Sequence, residues 1–203
     1  MTGATGWLLV GLGLGVVVVR RRSIAVGLVT TQALVLAVIA LQQAGPASDV
    51  VAGLALAMRA AALGGLFFVA VVRSRESQPL RARVTPMVRA GVAVVFILLL
   101  TALVPAFGLT SRPAERAVLA LVATGLACAA TRRSTLFQVL GIVLVENGLA
   151  LAAIESPHAS SLIIELGVTL DLTLIVCVAA LFHLRIFSEF GAGDSAALRS
   201  LRD

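Results

Sequence analysis

Arg59, Glu146, Glu165 and Asp171 stand inside long runs of apolar residues. A charge at the centre of a membrane helix costs about 2.5–3.5 kcal/mol on insertion scales, so such residues mark a function or a compensating partner. At about 1.5 Å of rise per residue, Arg59 lies about 15 Å along its run from Asp49, and Glu146 lies about 14 Å from the end near Glu155. Asp171 lies about 14 Å from the start of its own run near Leu162. All three depths fall close to the midplane of a hydrocarbon core about 30 Å thick. Glu165 is shallower, within about one turn of the outer end.

Shared depth admits two chemistries. In one, Arg59, Glu146 and Asp171 form a polar cluster that passes protons, since a buried carboxyl without a cation holds its proton more tightly. In the other, they are ion pairs that lock helices together. The residues alone weigh evenly between the two. Asn147, Thr169 and Gln138 would extend a polar path or act as glue between helices.

Composition puts these residues in a membrane. The 203-residue chain is 60% hydrophobic and 13% charged, with a mean hydropathy of +1.07. Soluble domains carry about twice that charge. Apolar stretches of about 17–25 residues recur between short polar breaks, the length that spans a bilayer. The expected fold is all-α, an integral membrane bundle of about seven transmembrane helices. The runs are Thr5 to Val19, Ile24 to Leu41, Asp49 to Val72, Ala90 to Phe107, Pro113 to Thr131, Ser134 to Ile154 and Ser161 to Phe187. Asp49 is placed to cap the third, and Pro113 to sit in the first turn of the fifth. The chain divides into a four-helix segment (1–110), a three-helix segment (111–187) and a polar tail (188–203).

The net charge is +6 and every basic residue is Arg. Nucleic-acid binding would need a basic patch on a soluble face with aromatics beside it. These arginines instead lie between apolar runs, where they set topology and meet lipid headgroups. Arg20, Arg21, Arg22, Arg73, Arg75, Arg81, Arg83, Arg89, Arg132, Arg133, Arg185, Arg199 and Arg202 fall on one side, and Arg112 and Arg116 on the other. The positive-inside rule then sets the N-terminus outside and the C-terminus in the cytoplasm. The first apolar run has its basic cluster after it, which suits a retained helix rather than a cleaved signal. The expected location is the cell membrane.

Other signals are weaker. Gly11, Gly13 and Gly15 do not make a nucleotide loop. Gly11 and Gly15 form a small-xxx-small pair suited to close helix packing, and Gly64-Gly65 suits a kink or a close contact. Cys128 and Cys177 lie in separate apolar runs without a CxxC and read as packing residues. His158 and His183 belong to opposite membrane faces, so no haem spans them. No cofactor or metal is expected on this chain.

The segments TLFQVLGIVLVENGLALAA (Thr135–Ala153) and IELGVTLDLTL (Ile164–Leu174) carry a resemblance. The ENG run within Gly141–Gly148 and ELGVTLD at Glu165–Asp171 resemble the hydrogenase-4 component E family, membrane subunits of energy-converting NiFe-hydrogenases and formate hydrogenlyases. The stretch from Ser111 to Phe187 is also similar to the three-helix K-type subunit of respiratory complex I, and Glu146 and Glu165 match its two buried glutamates. The resemblance implies a subunit without a redox centre. Its partners would be antiporter-like and quinone-module-like membrane subunits and a peripheral hydrogenase or dehydrogenase module. NiFe and iron–sulfur centres would sit on those partners, and the buried carboxylates would serve proton or ion translocation. Two other readings are a subunit of a multi-protein cation/proton antiporter and a stand-alone small transporter. The four N-terminal helices count against the first, and the lack of an inverted repeat against the second.

Overall fold

A computed structural model of the chain describes residues 3–44, 47–73, 85–106, 108–132 and 134–156. Six helices follow one another: α1 Gly3–Val18, α2 Arg22–Gln43, α3 Ala47–Arg73, α4 Pro86–Leu103, α5 Arg112–Thr131 and α6 Thr135–Ile154. Five of them, α2 to α6, are long and apolar enough to cross a membrane, and α1 is a shorter apolar helix. This is the build of a multi-pass membrane protein. The seventh run and the tail lie outside the described residues.

Local chemistry sets the helix ends. Thr85 caps α4, its Oγ1 accepting from the Val88 N–H at 3.4 Å. Pro86 follows at the first helical position, where its missing N–H costs nothing. The helix therefore starts four residues before the expected Ala90, and Arg89 belongs to its first turn rather than to a loop. It ends at Leu103 and not Phe107, because Val104 before Pro105 is extended. Ser111 caps α5 by accepting from Ala114 N–H at 3.3 Å, with Pro113 in the first turn as expected. α3 begins at Ala47, so Asp49 lies inside its first turn instead of ahead of it.

The helices pack as a bundle. α5 rests on α6, α4 and α1, and α2 rests on α1, α3 and α6. Lipid removes the hydrophobic drive between helices, so close backbone approach supplies the contact energy. α5 and α6 meet at glycines. A Cβ on Gly125 would fall 2.6 Å from the Gly141 carbonyl, and one on Gly141 would fall 2.7 Å from the Gly125 carbonyl. On α3, Gly53 and Gly64 lie against Leu41 and Thr30 of α2. The expected Gly11–Gly15 pair does not form such a seam. Gly11 faces open space, and Gly15 meets the flexible Leu28 side chain at 3.1 Å. Gly65 also faces open space. Phe137, Leu121, Leu140 and Leu144 fill the interior, while Met58, Phe68, Leu98 and Leu103 are exposed on α3 and α4. Such an exposed apolar face suits hydrocarbon contact.

Gly141→Ala should therefore destabilise the bundle by about 1–3 kcal/mol, the range for forcing atoms into a filled contact. Gly65→Ala should be neutral or stabilising, since Ala favours helix. Thermal unfolding in detergent, followed by fluorescence-detected size exclusion, compares the two; equal midpoints would contradict the glycine seam.

Candidate functional site

Arg59 lies midway along α3 and Glu146 near the middle of α6. The structure joins them: Arg59 Nη2 donates to Glu146 Oε2 in a salt bridge, with both side chains buried. α3 packs on α2 and makes no comparable helix-to-helix contact with α6 among the described residues. The pair thus spans from an outlying helix into the centre of the bundle. Each ion keeps capacity in reserve, for Glu146 Oε1 and Arg59 Nε are buried without a hydrogen-bond partner.

The next residue on α6 opens a second polar link. Asn147 Nδ2 donates to Gln32 Oε1 at 2.8 Å, and Gln32 Nε2 donates to the Leu9 carbonyl at 2.8 Å. Gln32 is wholly buried. It ties α2 to both α6 and α1. Thr124 lies buried nearby, where a Cβ on Gly13 would meet both it and Gln32 at 3.4 Å, and its hydroxyl donates to the Ala120 carbonyl at 2.6 Å. Amides do not titrate near neutral pH. Gln32 and Asn147 therefore fix geometry, and among the described residues of this layer Glu146 and Arg59 are the ionisable ones.

At the Gln43 end of α2 two carboxylates hold the link between α4 and α5. Glu115 accepts from the N–H groups of Gly108 (2.9 Å) and Leu109 (3.3 Å). Gly108 takes a φ of 80°, a conformation that favours glycine. Glu155, buried at the end of α6, accepts from Thr110 Oγ1 and from Gln43 Nε2 at 3.3 Å.

The opposite end is arginine-rich. Arg132 follows α5, is buried, and donates from Nη2 to the Val16, Val17 and Val19 carbonyls at the end of α1. It lies over the Phe137 ring, 3.8 Å from the centroid. A guanidinium suits these exposed carbonyls and the negative end of the helix dipole. Burial, and then the nearby Arg89, lower the Arg132 pKa to about 10, which leaves it charged at neutral pH.

Of the expected site residues, Arg59, Glu146 and Asn147 fall in one layer. Gln138 does not join it and is exposed on α6. Glu165, Thr169 and Asp171 lie outside the described residues, as do Cys177 and both histidines. Cys128 is buried, its thiol 3.5 Å from the Phe137 carbonyl. Sequence reading missed Gln32, Glu115 and Glu155. Gln32 was visible as an amide inside the second apolar run.

The fold and the buried pair define a multi-pass helical membrane protein with a charged centre. No family model and no solved structure matches the chain. It is 34% identical over 87 residues to an uncharacterised protein, Rv0085, of Mycobacterium tuberculosis. The match covers 43% of this chain and 40% of that relative, so the chain spans well under half of the relative's length.

Removing one ion of a buried pair strands the other and should cost about 3–5 kcal/mol. Arg59→Met and Glu146→Met should each lower the thermal midpoint strongly, and the double variant should recover most of the loss. A double variant that loses the sum of the two single losses in a detergent unfolding series would show that the pair does not act as a unit.

Proposed function

We propose that the chain is a non-redox membrane subunit of a complex I-like hydrogenase or dehydrogenase assembly, contributing buried carboxylates to proton or ion translocation coupled to electron transfer. The observation that carries this reading is the Arg59–Glu146 pair. It sits midway through apolar helices, with one carboxylate oxygen unpartnered beside a fixed amide layer. A carboxylate held by a cation that can be drawn away changes its proton affinity, which is the property coupling requires.

In this reading the chain crosses the cell membrane seven times, with its N-terminus outside and C-terminus in the cytoplasm. Glu165 and Asp171 extend the line of ionisable groups from the seventh helix. The NiFe and iron–sulfur centres belong to partner subunits. The resemblance of the ENG and ELGVTLD segments supports the assignment to this family.

Purification of the tagged chain in mild detergent, followed by native mass spectrometry, should recover antiporter-like membrane subunits and an iron–sulfur module. A chain that travels alone would overturn the assembly. The double variant Arg59→Gln/Glu146→Gln removes both charges without stranding either. Inverted vesicles carrying it should transfer electrons but lose most of their proton uptake. Unchanged uptake would leave the pair a purely structural device.

A further inference from the structure

A polar level divides the buried core in two. On each of four helices one small or polar residue stands between two apolar clusters. These are Gly13 of α1, Gln32 of α2, Thr124 of α5 and Asn147 of α6. Leu9, Leu36, Leu121 and Leu151 lie on one side, toward Glu115 and Glu155, in one cluster. Val16, Val29, Cys128 and Leu144 lie on the other side, toward Arg132, in a second. Apolar plugs of this kind keep water out of a polar interior. Water must cross one of them to reach the level of Asn147 and Glu146.

The two plugs are built differently. All six helices give buried side chains to the cluster on the arginine side. Among the described residues, α3 and α4 give none to the cluster on the carboxylate side. There the chain between α4 and α5 lies over the end, and Leu109 packs against the cluster. Glu115 and Glu155 tie it down. The N–H groups of Gly108 and Leu109 donate to the Glu115 carboxylate at 2.9 and 3.3 Å. The Thr110 N–H donates to the Glu155 carbonyl at 3.1 Å, and its hydroxyl to the Glu155 carboxylate. Gly108 and Thr110 are themselves exposed. A short non-helical segment at the surface opens at far lower cost than packed helices. We infer that the 108–110 segment is a strap closing the carboxylate end, and that water reaches the Gln32–Asn147 layer when the strap lifts Leu109 from its cluster. The inference rests on the proton-translocation reading, which needs water beside Glu146.

The test uses the full-length protein in detergent, with Thr124→Cys as a probe of the layer and the native Cys128 as a probe of the other cluster. Both positions are fully buried. A small water-soluble thiol reagent is added, and peptide mass spectrometry follows the two sites separately. Labelling of a buried thiol tracks the population of the open form. Gly108→Ala strains the strap without a clash, because a Cβ there meets nothing within 4 Å while the φ of 80° disfavours a side chain. It should speed labelling at position 124 about five- to thirtyfold, the population shift that one strained left-handed residue produces. Cys128 should keep its slow rate. Gly108→Asn, which tolerates left-handed backbone, should leave position 124 close to its original rate. Equal rates at position 124 with and without Gly108→Ala would overturn the strap. So would an equal acceleration at Cys128, which marks loosening of the whole bundle. Labelling needs no electron transfer, so a failed strap and a failed proton uptake are separate results.

Discussion

One ion pair governs this bundle. Arg59 and Glu146 each stand too deep in apolar sequence to be left alone, and each answers the other's charge. Their pairing joins α3 to α6 across a gap that backbone packing does not close. The layer around them follows from the same constraint. Polar atoms brought to that depth need partners, and Asn147, Gln32 and the Leu9 carbonyl satisfy one another in a chain through α6, α2 and α1. The unpartnered Oε1 is where the layer can respond to a change.

The two ends of the bundle hold this layer in register by opposite means. Carboxylates organise one end, where Glu115 and Glu155 gather the link between α4 and α5. Arginines organise the other, where Arg132 closes the carbonyl end of α1. Between them α5 and α6 meet so closely that only hydrogen fits at Gly125 and Gly141. That contact fixes the rotation of α6, and hence the direction in which Glu146 points.

Much of this was legible in residue order. Counting from helix ends set Arg59 and Glu146 at one level, because apolar runs fix both the length and the depth of a membrane helix. Polar side chains need a further step, the face on which they lie. Gln138 and Asn147 are nine residues apart, about two and a half helical turns, so they project to opposite sides and only one enters the bundle. Gln32 escaped notice because its partner is on another helix, and pairing between helices leaves no periodic trace within either. Gly125 and Gly141 were silent for the same reason, while of Gly11 and Gly15 the first faces open space and the second meets only the Leu28 side chain of α2. The start of α4 was misplaced because Arg89 reads as a loop charge, whereas Thr85-Pro86 is a stronger signal for a helix start.

The account stands on Glu146 being an ion at rest, balanced by Arg59. Infrared spectroscopy of the purified protein at neutral pH, compared with the Glu146→Gln variant, reads this directly. The account predicts that the wild type shows no protonated carboxyl stretch that the variant lacks, and that such a band appears when Arg59 is replaced by Met. A protonated carboxyl band in the wild type that vanishes with Glu146→Gln would contradict it, for the pair would then be a neutral acid beside an uncompensated cation.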